Sequence, residues 1–263
     1  MKMLNGSELA GYIKQRQAKQ VRSLNQSQGI FPKLAIVKTH DDPVINSYIR
    51  LKKQYGQDIG VEVFEQTVEP SALIQTIEEL NADENTHGVI VQLPIGEGAD
   101  LNEVLNSVDS MKDVDGLSDG SEHTAATAQA IGWLLDGYNV ELNGKKIALV
   151  GHGRLVGGPL EKELNGRGFE PMVLQEGDDL SEGLKEADVV ISATGVPGLI
   201  DSAMLAQGAV AVDAGVATDN GKTVGDFDSS VYERDDLTLT PKKGGVGPLT
   251  VSALFENLLR ASS

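Results

Sequence analysis

Tyr48 and Lys52 are the side chains in this 263-residue chain whose types and spacing point most directly to proton chemistry. Four residues apart behind Pro43, they lie one above the other on one face of a predicted helix, with Ile45 and Ile49 on a neighbouring face. A lysine beside a phenol in a partly desolvated cleft loses pKa and can act as acid, base or cation. The same spacing is also common on ordinary helix surface. Gln92 follows a strand-like run and precedes Leu93-Pro94, so its amide sits at a strand's carboxyl end, free to bind a ligand or to satisfy a buried partner. In Lys112-Asp113-Val114-Asp115-Gly116, Asp115 can accept hydrogen bonds from the N–H donors of a heterocycle or cap a turn. That run opens like a calcium loop but lacks the later glycine and terminal glutamate, which argues against calcium. His40, His87, His123 and His152 have no metal-ligand spacing, and no bound metal is expected.

A second chemistry is written in residues 147–168. The apolar run Ile147-Ala148-Leu149-Val150 enters a turn holding Gly151, Gly153, Gly157 and Gly158, and a helical pattern with Leu160 and Leu164 follows. Without Cβ atoms such a turn lets backbone approach a pyrophosphate, and the helix N-terminus turns unpaired N–H groups and the positive end of its dipole towards the anion. The usual dinucleotide fingerprint asks for glycine at 156, where this chain has Val156. A turn that binds nothing is the competing reading. A third unusual run, Thr240 to Thr250, holds three glycines and two prolines around Lys242-Lys243; it is expected to be a flat loop that lies against a planar ligand, or else a plain tight connection.

These groups need strands and helices to hold them. Helices are expected at 1–28, from Pro43 to about Asp58 and over 70–80, and strands at 34–37, 61–64 and 88–94. A second series follows: a helix over 123–138, strands at 146–150, 171–174, 188–192 and 209–213, helices at 155–167 and 180–186, a short helical turn at 202–206, and a last helix over 251–261. The alternation predicts a two-domain α/β protein with mostly parallel sheets and right-handed crossovers. Ligands on such sheets sit at the strands' carboxyl ends, where His40, Gln92 and the Asp113–Asp115 loop are expected. Ser118-Asp119-Gly120-Ser121 reads as the linker. This gives a first domain of residues 1–120 and a second of residues 121–249; the pattern of the terminal helix, residues 250–263, does not say which it joins.

Composition narrows the partners. With 22 Lys and Arg against 39 Asp and Glu, the net charge is −17, which argues against nucleic acid or an anionic membrane surface. Cysteine is absent, so disulfides, thiolate nucleophiles and thiolate metal sites are excluded, in keeping with a reducing compartment. No apolar run reaches membrane-spanning length and no apolar signal segment opens the sequence, so a cytoplasmic protein is expected.

Taken together, Tyr48-Ile-Arg-Leu-Lys52, Val91-Gln92-Leu93-Pro94, Lys112-Asp113-Val114-Asp115-Gly116, Gly225-Asp226, Thr240-Pro241 and Gly244-Gly245-Val246-Gly247-Pro248-Leu249-Thr250 resemble the signatures of bifunctional methylenetetrahydrofolate dehydrogenase/methenyltetrahydrofolate cyclohydrolase. They fall in the family's order across nearly the whole chain. The resemblance implies an N-terminal folate and catalytic domain, a Rossmann-like NAD(P)-binding domain, a last helix returning to the first domain, and a homodimer. It implies two reactions in one cleft: hydride transfer from methylenetetrahydrofolate to a nicotinamide cofactor, then addition of water to give 10-formyltetrahydrofolate. Lys52 is then central to the cyclohydrolase step, Tyr48 stacks on or bonds the folate, Gln92 tunes the lysine and Asp115 anchors the pterin. Val91, Leu93, Gly244, Gly245, Gly247 and Pro248 would line the substrate. Gly151, His152, Gly153, Arg154, Gln175, Thr194 and Val216 would meet the cofactor.

Three departures stand out: Ala125-Ala126-Thr127-Ala128 where relatives have Pro-Cys-Thr-Pro, Gly153 where many have serine, and Lys242-Lys243 in place of Val-Pro. The two lysines are expected to offset the acidic background for an anionic folate, or to be exposed solubilising charge. The family favours NADP, whereas Gln175-Glu176-Gly177-Asp178-Asp179 is acidic where a 2′-phosphate would sit and argues for NAD. A related two-domain dehydrogenase, such as one acting on shikimate, shares the fold but not Gln92-Leu93-Pro94 or the 244–250 loop. A folate- or nucleotide-binding protein without catalysis is the remaining alternative.

Overall fold

The computed structural model describes residues 2–219 and 222–263. In chain order the elements are β1 (Lys2–Met3), α1 (Gly6–Gln28), β2 (Lys33–Lys38), α2 (Pro43–Ile59), β3 (Glu62–Thr67), α3 (Leu73–Ala82), β4 (Gly88–Val91), α4 (Leu101–Asn106), α5 (Ala126–Gly137), β5 (Ile147–Val150), α6 (Gly157–Gly166), β6 (Met172–Leu174), α7 (Leu180–Lys185), β7 (Val189–Ser192), β8 (Val210–Asp213), β9 (Ala217–Asp219), β10 (Lys222–Val224), β11 (Thr238–Leu239) and α8 (Val246–Ala261). They fall into two compact bodies: Gly11–Ala126 with Val251–Ser263, and Met1–Ala10 with Thr127–Thr250.

The first body is built on a parallel sheet in the order β3-β2-β4, with Ile36 opposite Glu65 on one side and Ile90 on the other. Central β2 has to be apolar on both faces, and Leu34 to Val37 are almost wholly buried. Next comes α2, which starts where Asp42 caps it by accepting from the N–H groups of Val44 (2.8 Å) and Ile45 (3.2 Å), with Pro43 in its first turn. It stops at Gly60, whose φ of 86° is the left-handed value that glycine supplies. Ile45, Ile49 and Ile59 turn inward. Tyr55 donates to Gln17 Oε1 at 2.7 Å and stacks on Phe255 of α8, ring centres 4.9 Å apart. A long connection beside β4 completes the body: Val89 N–H donates to Lys112 O (2.8 Å), and Lys112 Nζ caps the end of α3 through the carbonyls of Leu80, Asn81 and Asp83.

The second body holds a six-stranded sheet in the order β1-β11-β8-β7-β5-β6, parallel at each pairing, plus a β9–β10 hairpin. The strands expected at 146–150, 171–174, 188–192 and 209–213 are β5 to β8. Two strands escape the sequence pattern because two residues carry no periodicity: Lys2 and Met3 pair with Thr238 and Leu239 at the sheet's edge. The helix expected from residue 1 therefore begins at Gly6, where Asn5 Oδ1 accepts from Glu8 N–H (3.3 Å), and residues 2–10 belong to this body. The short helical turn expected at 202–206 is a turn closed by Met204 N–H donating to Asp201 O (3.3 Å); α4 and the hairpin have no counterpart in the sequence pattern.

The contacts divide the chain after Ala126, close to the expected boundary near 118–122. Residues 111–124 are held to the first body, for example by Asp119 N–H donating to Asn106 Oδ1 (2.9 Å), and are braced by bonds within the segment. Asp113 accepts from Gly116 N–H (3.0 Å), Ser118 N–H (2.8 Å) and Ser118 Oγ (2.7 Å), and a ring nitrogen of His123 bonds Met111 O (2.9 Å).

Candidate active site

In the first body, Lys52 and Gln92 meet at the carboxyl end of β4. Gln92 is fixed first: its N–H continues the ladder to Val37 O (2.8 Å), and its Nε2 donates to Leu93 O (3.1 Å). That orients the amide oxygen outward, where it accepts from Lys52 Nζ at 3.0 Å. An amide oxygen holds an ammonium without adding a full negative charge. Burial therefore pushes the Lys52 amine below the ordinary lysine range, and the Asp115 carboxylate partly opposes this. Burial pushes Asp115 up, with Lys52 opposing and Asp113 adding to the rise. A lysine in this setting reaches its neutral form nearer to physiological pH, as proton transfer requires. Tyr48 stands one helical turn before Lys52, half-buried, and its hydroxyl makes no hydrogen bond among the described residues. Val91 is core instead: it is 4% exposed and packs among the buried residues of this body, with Leu93 against the same cluster.

Asp115 is held in place by a residue that sequence reasoning passed over. Asn257 of α8, fully buried, donates from Nδ2 to Val114 O and Thr124 O, both at 2.9 Å, and so clamps the loop on either side of Asp115. Asn257→Leu leaves both carbonyls without that donor, which costs about 2–4 kcal/mol of stability. The expected result is a lower Tm in thermal unfolding.

The second body carries the glycine turn. Gly151 follows β5 with φ of 91°; a Cβ there would meet Ala193 O at 2.8 Å, and its N–H donates to Leu174 O (2.8 Å). The close-packing glycine of the fingerprint is present one place later than expected. A Cβ on Gly157, the first residue of α6, would lie 2.1 Å from Gly151 O, whereas one on Gly153 would meet nothing within 4 Å. His152 is bonded to Glu161 on α6 at 2.7 Å. Arg154 and exposed Leu155 complete the turn. The loops after β7 and β8 bring Thr194 and Val216 to the same sheet edge, with Val196 and Val216 exposed there. Gly225-Asp226 pins both loops: buried Asp226 accepts from Ser192 Oγ (2.6 Å) and Thr194 N–H (2.8 Å), and Asp213 accepts from the N–H groups of Gly215, Asp226 and Phe227. Exposed apolar side chains over a glycine cradle at a helix N-terminus fit a dinucleotide.

The run at 240–250 differs from the expected flat loop. Residues 246–250 are the first turn of α8, so Gly247 and Pro248 present a helix start. Gly244 O accepts from Ser7 N–H (2.9 Å), and Gly6 lies so close to Gly245 O that a Cβ would sit 1.8 Å from it. Lys242 Nζ rests 4.7 Å from the centre of the Tyr232 ring, a cation–π contact that gives this lysine a structural role.

The two halves of the chain match two family models. Residues 4–115 match the tetrahydrofolate dehydrogenase/cyclohydrolase catalytic domain, and residues 125–263 match the tetrahydrofolate dehydrogenase/cyclohydrolase NAD(P)-binding domain. The chain belongs to the tetrahydrofolate dehydrogenase/cyclohydrolase family. Among relatives of the family, the bifunctional protein FolD of Hydrogenobaculum sp. (strain Y04AAS1) is 37% identical, the match covering 99% of this chain and 98% of the relative. The solved bifunctional FolD of Campylobacter jejuni superposes with a TM-score of 0.93 at 30% identity, over 100% of this chain and 98% of that one. The Trypanosoma brucei FolD complexed with NADP cofactor and inhibitor gives 0.91 at 28% identity, over 98% and 96%. As in the family models, the chain has a catalytic part and an NAD(P)-binding part. Among the described residues no cluster of His, Cys, Asp and Glu is arranged to hold a metal, and no helix is long and apolar enough to cross a membrane.

Proposed function

We propose that this chain oxidises 5,10-methylenetetrahydrofolate to the 5,10-methenyl form with NAD(P)+ and hydrolyses that product to 10-formyltetrahydrofolate. The observation that carries the reading is the Lys52–Gln92 contact at 3.0 Å, within electrostatic reach of Asp115. A bound nicotinamide supplies the hydride acceptor; Gly151, His152, Gly153, Arg154, Gln175, Thr194 and Val216 would hold its dinucleotide, and the positive helix start of α6 suits its phosphates. Asp115 accepts from the pterin N–H donors, Tyr48 covers the folate, and Gly244, Gly245, Gly247 and Pro248 are further substrate contacts in this reading.

In the second step, neutral Lys52 takes a proton from the water that adds to the methenyl carbon. The carbon–N5 bond then breaks, N5 gains a proton, the formyl group stays on N10, and one proton is released overall. Gln92 keeps the amine aimed, and burial favours its uncharged form. The chain works as a cytoplasmic homodimer, without nucleic acid or membrane partners, in keeping with its net charge of −17.

The test follows absorbance of the reduced cofactor and of the methenyl intermediate separately, with purified protein, methylenetetrahydrofolate and either NAD or NADP. Reduction followed by loss of the methenyl band supports the reading; no reduction and no hydrolysis sinks it. Asp115→Asn adds a pH criterion. The carboxylate raises the Lys52 pKa, so its removal lets that pKa fall further. The rise of kcat for methenyl hydrolysis with pH, which follows loss of the lysine proton, is expected to move to lower pH. An unmoved profile would separate Asp115 from the lysine.

A further inference from the structure

Resting on the dinucleotide reading above, the structure points to Glu176 as the residue that selects the cofactor, and we infer that the chain prefers NAD to NADP. Val150 and Leu174 are paired at the ends of β5 and β6, and Gly151 N–H donates to Leu174 O at 2.8 Å, so the residues after Leu174 begin beside the phosphate-binding turn. In a doubly wound sheet this is the position from which a carboxylate accepts the adenosine ribose 2′-hydroxyl, and where NADP needs a positive or hydroxyl partner instead.

Residues 175–178 make a tight turn in which Asp178 N–H donates to Gln175 O (3.1 Å) and Gly177 takes a φ of 100°. Three carboxylates share this exposed segment, and two of them already have backbone duties. Asp178 Oδ2 accepts from Gln175 N–H (2.7 Å), and Asp179 Oδ1 accepts from Glu182 N–H (3.0 Å) as the cap of α7. Glu176 makes no hydrogen bond or ion pair among the described residues and is exposed at the first central position of the turn, where a ribose hydroxyl can find it. A 2′-phosphate would meet all three negative charges, with no lysine or arginine in residues 175–179 to offset them. On the glycine turn, His152 is bonded to Glu161, and Arg154 is the one arginine of that turn.

The experiment is fluorescence titration of the full chain with NADH and with NADPH, and with ADP-ribose and its 2′-phosphate as competitors. NADH is expected to bind at least about tenfold tighter than NADPH, with the same order for the two competitors. Glu176→Ser is expected to collapse that ratio to within about threefold by strengthening NADPH binding and weakening NADH binding. Circular dichroism checks that the exposed turn tolerates the change. NADPH binding as tightly as NADH in the parent chain would overturn the preference, and an unchanged ratio in Glu176→Ser would overturn the assignment to this residue. Binding of neither dinucleotide would instead remove the dinucleotide reading, and with it this inference.

Discussion

Lys52→Met is expected to reduce hydrolysis of methenyltetrahydrofolate by a factor on the order of 10²–10⁴, the range that a positioned acid–base group supplies. The effect is large because nothing else in the cluster can replace the amine. Gln92 is an amide with no titratable proton, and its oxygen is turned towards Lys52 by its own bond to Leu93 O at 3.1 Å. Asp115 has its carboxyl pushed up by burial and is proposed to hold the pterin instead. The variant keeps its fold, since methionine retains the length and apolar character of the lysine stem and the side chain is only half-buried. Cofactor binding should be unchanged, because the glycine turn belongs to the other body. Stopped-flow absorbance of the methenyl band reads the rate, and hydrolysis within about threefold of the parent would remove Lys52 from the chemistry, a loss too small for general acid–base catalysis.

Gly157→Ala has the second largest expected effect, on the other half of the reaction. The new methyl would sit 2.1 Å from Gly151 O and 2.8 Å from His152 Cα, both backbone atoms that cannot rotate away, so α6 must move off the turn. Overpacking of this kind costs about 1–3 kcal/mol of stability. It also spoils the alignment of the helix N–H groups with a phosphate, and NADH binding should weaken by about tenfold or more, since each 1.4 kcal/mol lost is a factor of ten. Gly153→Ala is the informative partner. Its Cβ would meet no protein atom within 4 Å, so Tm should hold while binding falls if the proposed pyrophosphate occupies that space. If Gly153→Ala binds NADH as the parent does, the pyrophosphate does not lie against Gly153. Methenyl hydrolysis, which needs no dinucleotide, should survive in both variants and shows that the first body remains intact.

Much of this protein was legible in the sequence because its signals are local. Buried parallel strands read as short apolar runs, as at 34–37 and 147–150, and α2 announced itself through Pro43 at its start and Gly60 at its end. A helix spacing marks Lys52 and a strand end marks Gln92, while their pairing follows only from the family's order of motifs.

Tertiary structure decided what depends on contacts between distant residues. The pairing of Lys2–Met3 with Thr238–Leu239 involves strands too short to have a period. Residues 245–250 hold two glycines and a proline, a composition that reads as loop; α8 nevertheless begins at Val246 because its later residues pack in the first body's core. Asn257 looks like any polar helix residue until its amide is seen bonding two carbonyls more than 130 positions away. Gly157 took the place of the expected glycine at 156 because the chain needs a missing Cβ wherever α6 touches Gly151 O, and that point of contact is set by three-dimensional packing rather than by counting along the motif.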